Sequence, residues 1–350
     1  MIVSLLLGLA TSACTTAERV DGQSLGSEVS IDLAAGSPAP DTTGTSSAAT
    51  TSSAAPTTVA PTTALPTTLA PTTTTLPEPW EVAGHHHGPI PAEEQIRCSA
   101  DSGGLAVGDA LAVEGHDDRP TLLQPAADPT APLVVVFHGQ NGCIENVQSR
   151  SDLDVIAAPA GVAVLWLSGR PLPTRSWNTN GSCCEPASDN GVQDMPYVEA
   201  AIEAAVATGL QPRRTLSAGV SNGGGMAISV ACRRPDLFDA AVSVAGWAPV
   251  PCDRLPLSLL VFGGSADESL GSVRATQVAT MWTTDVVSCP EPPAEEEQGI
   301  RDTVTWVGCS DGTTVRLVRL QGVPHVWPKF AEYDMDDDIV LFALGRYDAL

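Results

Sequence analysis

The sequence predicts an α/β fold in which a mostly parallel sheet carries helices on both faces. Short apolar segments of strand length alternate with stretches of helix length, and continuous apolar strands are typical of parallel sheets buried on both sides. The predicted strands cover 133–137, 162–167, 215–220, 240–244, 257–262 and 314–320, and the clearest helices cover 195–210 and 224–234. Strands that alternate with helices point to a parallel sheet with helices on both sides, and the active sites of such sheets lie at the carboxyl ends of the strands.

Composition divides the chain near residue 92. Residues 1–13 hold a short apolar run followed by small residues, which predicts an export signal, and Cys14 directly after them is a candidate site for a lipid anchor to the membrane. Residues 14–91 are rich in Thr, Pro, Ser and Ala and predict an extended linker, in which the three histidines 85–87 are linker residues rather than a metal site. The single folded domain is predicted to span 92–350.

Charge and cysteine content narrow the classes of partner and compartment. The net charge is -24 with only 17 Lys and Arg residues, which argues against a nucleic-acid partner. Besides Cys14 the chain has eight cysteines, an even number that favours disulfides and a secreted, extracellular or cell-surface protein. We expect the pairs Cys232–Cys252 and Cys289–Cys309, because each brackets a local excursion, and leave the pairing of the other four open. No spacing predicts a metal site.

One motif predicts a nucleophile. Residues 219–223 read Gly-Val-Ser-Asn-Gly, the GxSxG pattern of a strand-to-helix turn that exposes a serine, here Ser221. The predicted strand 215–220 and the small residues after the motif supply the context that this turn needs. The sequence therefore predicts the α/β-hydrolase version of the fold.

A serine hydroxyl needs a base, and two histidines stand where such a fold uses them. His325 follows the predicted strand 314–320 and is the expected base, while His138 follows 133–137 in the loop that carries an oxyanion donor. The expected donors are the backbone N–H groups of Gln140 and Asn222.

The acid of the triad should lie between the serine and the histidine in sequence. Asp267 follows the strand-like segment 257–262 and fits best. Asp253, Asp285 and Asp302 are the alternatives, although none follows so clear a strand.

The region 131–342 resembles the extracellular polyhydroxybutyrate depolymerases and feruloyl esterases. The resemblance rests on these segments: 134–139, Ser176-Trp177-Asn178 followed by Cys183-Cys184, 191–198 with Asp194, 219–227, 236–238, 244–246, 306–309 and 324–328. It implies the same triad, no cofactor, and an ester substrate that carries a hydroxyacyl or hydroxycinnamoyl group. Gly263-Gly264 and Val323-Pro324 depart from the family's usual residues.

Aromatic side chains near the predicted site are candidates for substrate contact. Trp327 lies two residues beyond the expected base, and Trp177, Trp247 and His138 lie in loops after predicted strands. Two other functions compete with ester hydrolysis: acyl transfer to a sugar hydroxyl by the same triad, and surface binding by a catalytically idle protein.

Overall fold

The computed structural model describes residues 98, 107–171, 174–181, 183–290, 293–330 and 333–346. All but one of these ranges lie beyond residue 106, and all belong to one compact unit, 75–350. The predicted export signal, Cys14 and the linker 14–91 lie outside the described residues. None of the described helices is both long enough and apolar enough to cross a membrane.

Ten of the described strands form one sheet. The strands are β1 (Asp109–Ala110), β2 (Thr121–Gln124), β3 (Leu133–Phe137), β4 (Ala163–Leu167), β5 (Thr215–Val220), β6 (Ala240–Val244), β7 (Ser258–Gly264), β8 (Ala294–Gln298), β9 (Arg301–Trp306) and β10 (Val315–Leu320), and a separate pair is formed by β11 (Lys329–Phe330) and β12 (Tyr333–Asp334). Their order is β1-β2-β4-β3-β5-β6-β7-β10-β9-β8. The central six are parallel, and the pairs at each edge are antiparallel.

Helices cover both faces of this sheet, and the period of two along each strand explains why. They are α1 (Ile144–Gln148), α2 (Leu153–Ile156), α3 (Met195–Ala207), α4 (Asn222–Arg233), α5 (Ser272–Met281) and α6 (Met335–Leu344). In β3, Val135 and Phe137 pack on the side of α3, α4 and α5, while Val134 and Val136 pack on the side of α1, α2 and α6. All five β3 side chains are buried, and each large apolar one stabilises the fold by roughly 1.5–3 kcal/mol.

The predicted α/β-hydrolase fold with helices on both faces is confirmed. The bounds of β3, β5 and β6 are as predicted, and β4, β7 and β10 differ from prediction by one or two residues at an end. The antiparallel edge strands were not predicted. In β8 every residue is exposed and three are glutamates, so this strand has no apolar pattern and is held by its pairing with β9.

Four disulfides are formed within the described residues. Both expected pairs, Cys232–Cys252 and Cys289–Cys309, are formed in the structure. The other four cysteines, whose pairing the sequence left open, form Cys98–Cys143 and the vicinal pair Cys183–Cys184.

Candidate active site

Ser221 stands on a sharp turn between the end of β5 and the start of α4. Its φ is 56° and its ψ is -120°, a left-handed conformation that side chains other than glycine rarely adopt. The turn is held by backbone hydrogen bonds, since Ser221 N–H donates to the Val244 carbonyl (2.8 Å) and Gly225 N–H donates to the Ser221 carbonyl (3.0 Å). The strained backbone thus presents the serine at the carboxyl edge of the sheet, as the motif predicts.

The two motif glycines are required by close backbone contacts. A Cβ atom on Gly219 would lie 2.3 Å from the Gly223 carbonyl oxygen, and one on Gly223 would lie 2.1 Å from the carbonyl oxygen of Phe137. Both obstacles are backbone atoms that no rotamer change can move. The GxSxG spacing is therefore dictated by the packing of the turn against itself and against β3.

His325 and Asp267 form a hydrogen-bonded pair in the loops after β10 and β7. Nδ1–H of His325 donates to Oδ2 of Asp267 over 2.7 Å, and the Asp267 side chain is fully buried. The other carboxylate oxygen, Oδ1, accepts the backbone N–H groups of Ser269 and Leu270, each at 2.9 Å. The carboxylate is thus fixed on one side by the backbone and orients the imidazole on the other.

These contacts also set the protonation of Asp267. Burial by itself would raise its pKa, but the hydrogen bonds from Leu270, His325 and Ser269 outweigh burial and hold the pKa below its usual value. Asp267 is therefore an anion at neutral pH and accepts the proton-bearing Nδ1. This tautomer leaves Nε2 of His325 as the unprotonated nitrogen that can take a proton.

The other candidate acids do not contact the histidine. Asp253 and Asp285 are exposed, and Asp302 pairs with Arg319 at 2.7 Å. Among the described residues, no hydrogen bond yet joins Ser221 Oγ to His325; such bonds often tighten only when substrate closes the site.

The loop after β3 is shaped by His138, whose ring is fully buried. Its Nδ1–H donates to the Gly139 carbonyl (2.7 Å), and its Nε2 accepts the N–H of Gly169 (2.9 Å). Burial lowers the pKa of His138 to about 3, so the ring is neutral. We expected His138 to contact substrate, and this was wrong: both ring nitrogens are used to hold the loop.

Trp177 joins the two segments that carry the expected oxyanion donors. Its indole N–H donates to the His138 carbonyl (2.9 Å), its backbone N–H donates to Asn222 Oδ1 (2.7 Å), and its carbonyl accepts from Asn222 Nδ2 (3.0 Å). The ring is fully buried. The expected substrate contact of Trp177 is therefore wrong, because the ring lies beneath the loop rather than in the cavity.

A buried ion pair lies beside Trp177. Arg119 and Asp194 pair at 2.7 Å with almost no exposure, and Arg119 lies over the Tyr197 ring at 3.7 Å. Asp194 also accepts the backbone N–H of Asn178 at 2.8 Å, next to Trp177. The acidic residue of the resembled family thus has a structural role in this chain.

Ser221 and His325 line one cavity of about 320 Å³. Its other lining residues are Gly139, Gln140, Asn141, Gly142, Asn146, Val147, Arg150, Val220, Val326 and Trp327. Of the tryptophans expected to contact substrate, Trp327 is the one that lines this cavity. Its indole N–H donates to Asp336 Oδ1 at 2.9 Å. Trp247 instead packs its ring over Gly225 at the start of α4 and is not a lining residue.

Among the lining residues that the sequence did not indicate are two long polar side chains, Asn146 and Arg150. Asn146 and Arg150 lie four residues apart, in and just after α1, and both face the cavity. No motif marks this segment, and side-chain pairing cannot be read from sequence. In the described part of the chain, no cluster of three His, Cys, Asp or Glu side chains is placed to hold a metal ion.

The chain is similar in sequence to known hydrolases and in fold to solved esterase structures. The sequence profile of the prolyl oligopeptidase family matches residues 151–252, which include Ser221 but not Asp267 or His325. A putative esterase, NocK, of Nocardia uniformis subsp. tsuyamanensis is 31% identical over 148 residues, which are 41% of this chain and 42% of that protein. Feruloyl esterase B of Piromyces equi is 31% identical over 119 residues, 34% of this chain and 21% of that protein.

The chain thus spans less than half the length of these curated relatives. Among solved structures, the acetyl xylan esterase from Aspergillus awamori superposes with a TM-score of 0.51 at 16% identity, covering 65% of this chain and 94% of that one. At this identity the likeness shows the fold. The chain has the α/β-hydrolase fold, and the two curated relatives named above are described as esterases.

Proposed function

We propose that the protein is a serine esterase that hydrolyses carboxylic esters through an acyl-enzyme. The observation that carries the proposal is the cavity shared by Ser221 on its strained turn and His325, with His325 oriented by the buried carboxylate of Asp267. The names of the relatives, a putative esterase, a feruloyl esterase and an acetyl xylan esterase, support the class of reaction.

The proposed reaction has two acyl-transfer steps. Nε2 of His325 takes the proton of Ser221 Oγ as the oxygen attacks the ester carbonyl, and Asp267 stabilises the imidazolium that forms. His325 then gives the proton to the leaving alcohol, and a water molecule activated by the same nitrogen releases the acid. The carbonyl oxygen, which becomes negative in each step, is held by two backbone N–H groups.

Those donors are the amides of Gln140 and Asn222. Asn222 is the first residue of α4, where a backbone N–H has no partner within the helix and the helix dipole favours an anion. Gln140 lines the cavity in the loop held by His138 and Trp177. Hydrogen bonds from Trp177 to both segments support a fixed spacing between the donors.

The substrate classes we propose are hydroxyacyl esters, such as oligomers of hydroxybutyrate, and feruloyl or acetyl esters of polysaccharide. We also propose that the protein works outside the cell, secreted or anchored at the surface through Cys14. Four disulfides among the described residues support an oxidising compartment.

Comparing ester hydrolysis by the wild type and by Ser221→Ala tests the proposal. We expect the wild-type protein to hydrolyse 4-nitrophenyl butyrate, and Ser221→Ala to lose this activity while keeping the circular dichroism spectrum of the wild type. Ser272→Ala, which removes a hydroxyl outside the cavity, serves as the matched control. Equal activity of Ser221→Ala and wild type would contradict the proposal.

Product analysis separates hydrolysis from acyl transfer. Free acid should be the product with or without a carbohydrate acceptor, whereas an acylated sugar would indicate a transferase. A proline 4-nitroanilide substrate tests amide cleavage, since the profile that matches residues 151–252 belongs to a peptidase family.

A further inference from the structure

Within the described part of the chain, Arg150 is a cation without a counter-ion in the wall of the active-site cavity. Its side chain is half-buried and lines the same cavity as Ser221 and His325. Its Nε is buried without a hydrogen-bond partner, and within the described residues its guanidinium forms no ion pair. Burial lowers the pKa of Arg150, although a guanidinium keeps its charge at any pH at which the protein folds.

Two buried cations of the described residues are paired with carboxylates, unlike Arg150. Arg119 pairs with Asp194, and Lys329 pairs with Asp152. A half-buried charge without a counter-ion costs free energy, and this cost is recovered when an anion binds. In a protein with 41 acidic and 17 basic residues, carboxylates that could pair with an arginine are abundant, yet none lines this cavity.

We propose that Arg150 binds a carboxylate on the substrate, so that the preferred ester carries a free acid group close to the scissile bond. This inference rests on the proposed esterase function and names its substrate class. A guanidinium offers two parallel N–H donors that match a carboxylate. The cavity volume of about 320 Å³ limits the enclosed part of the substrate to a small molecule, so the acid and the ester lie a few bonds apart.

A contact between Arg150 and a carboxylate would discriminate between the substrate classes proposed above. Oligomers of a hydroxy acid end in a free carboxylate beside their last ester bond. Feruloyl and acetyl groups esterified to neutral sugars carry no such charge. Arg150 therefore favours short hydroxy-acid oligomers over hydroxycinnamoyl or acetyl esters.

The overall negative charge of the protein does not oppose this contact strongly. Repulsion between exposed charges is screened beyond about 8 Å at physiological ionic strength. A direct hydrogen-bonded ion pair in a half-buried site is screened much less. The local attraction of Arg150 should therefore dominate once an anionic ester has entered the cavity.

The test uses two pairs of esters that differ only in carrying a carboxylate or the isosteric, neutral carboxamide. One pair is the linear dimer of 3-hydroxybutyrate and its terminal amide, which places the charge on the alcohol side. The other is 4-nitrophenyl hydrogen glutarate and its amide, which places the charge on the acyl side. The readout is the ratio of kcat/KM for acid over amide within each pair.

We expect the full-length protein to prefer the acid in at least one pair by about 10- to 100-fold, the range given by a charged hydrogen bond. Arg150→Met should bring that ratio to about one or below, and Arg150→Lys should restore part of it. Arg274→Met removes the same charge at an exposed position and should keep the wild-type ratio. This control separates a local contact from a change in net charge.

The outcomes distinguish failure of this inference from failure of the esterase proposal. Hydrolysis of acid and amide at equal rates in both pairs, or an acid preference that survives in Arg150→Met, would overturn the role of Arg150 while leaving the esterase intact. A wild-type protein that hydrolyses 4-nitrophenyl butyrate but none of the four esters would likewise overturn the role of Arg150, whereas one that hydrolyses none of the five would overturn the esterase proposal itself. Circular dichroism of each variant confirms that the fold is retained.

Discussion

Replacing Asp267 with Asn tests the orientation of the proposed base, because the structure dictates how the new amide must lie. Oδ1 of Asp267 accepts two backbone N–H groups, from Ser269 and Leu270. An amide NH₂ cannot accept them, so the Asn oxygen must take this position and the NH₂ must face Nδ1 of His325. That nitrogen would then lose its proton to Nε2, which would point N–H rather than a lone pair at Ser221.

The expected loss follows from this change of tautomer. A triad histidine locked in the wrong tautomer reduces kcat by about 1,000- to 10,000-fold, which corresponds to about 4–5.5 kcal/mol of transition-state stabilisation. The backbone contacts of residue 267 are kept, so KM and the free energy of unfolding should change little. Kinetics with 4-nitrophenyl butyrate at neutral pH give kcat and KM, and urea unfolding gives the free energy of unfolding.

The neighbouring Glu268 supplies a matched control. It is exposed, and Glu268→Gln removes one carboxylate charge from the same loop without touching the histidine. We expect its kcat to stay within about twofold of the wild type, in line with the small effect of exposed charges. If Asp267→Asn kept kcat within tenfold of the wild type, the assignment of Asp267 as the orienting acid would be refuted.

Three further predictions concern the turn at Ser221, the oxyanion loop and a partly buried carboxylate in α2. Gly223→Ala places a Cβ 2.1 Å from the Phe137 carbonyl oxygen, and urea unfolding should show a loss of about 2–3 kcal/mol or no folded protein; an unchanged midpoint would contradict the close packing of the turn. Trp177→Phe leaves the buried His138 carbonyl without its indole donor, and should cost about 1–3 kcal/mol of stability and lower kcat more than it raises KM; wild-type kcat would show that this bond does not position the oxyanion loop. Burial, assisted by the carboxylate of Asp152, raises the pKa of Asp154 to about 6. The folded state therefore binds the proton of Asp154 more tightly than the unfolded state, so this contribution to stability is fully present below about pH 4 and is lost as pH rises through about 6. Asp154→Asn should be more stable than the wild type by up to about 2 kcal/mol at pH 7.5 and equal to it at pH 4. A difference in stability that does not change with pH would be inconsistent with the raised pKa.

The central strands were predictable because they are buried on both faces. Along β3, β5 and β6 nearly every residue is apolar or small and is buried, and the predicted bounds of these strands follow from this pattern. The edge strands could not be predicted in this way. β8 is a run of exposed, charged residues whose strand conformation depends on β9, a partner that local sequence does not reveal.

The residues of the candidate site were likewise predictable only in part. Ser221, Asp267 and His325 could be proposed from one motif and the order of strands, since a parallel sheet brings the ends of its strands to one edge. The direction in which a loop side chain points depends on packing that lies far away in sequence. His138 and Trp177 follow strands as expected, yet each turns inward to hold backbone carbonyls or amides.

Arg150 is the site residue that the sequence was least able to indicate. Its importance lies in the lack of a partner within the described residues, and whether an arginine is paired depends on which acidic side chains the fold brings to it. The many aspartates and glutamates of the sequence make pairing the expected state. Only the three-dimensional placement of Arg150 in the cavity wall distinguishes it.

The most direct measurement of the central claim is labelling of the full-length, disulfide-intact protein with a fluorophosphonate, followed by peptide mass spectrometry. A phosphonate reacts with a serine whose hydroxyl is activated by a base. We expect stoichiometric labelling on the peptide that contains Ser221 and none in Ser221→Ala. A folded protein that stays unlabelled, or that is labelled at another serine, would contradict the claim that Ser221 is an activated nucleophile.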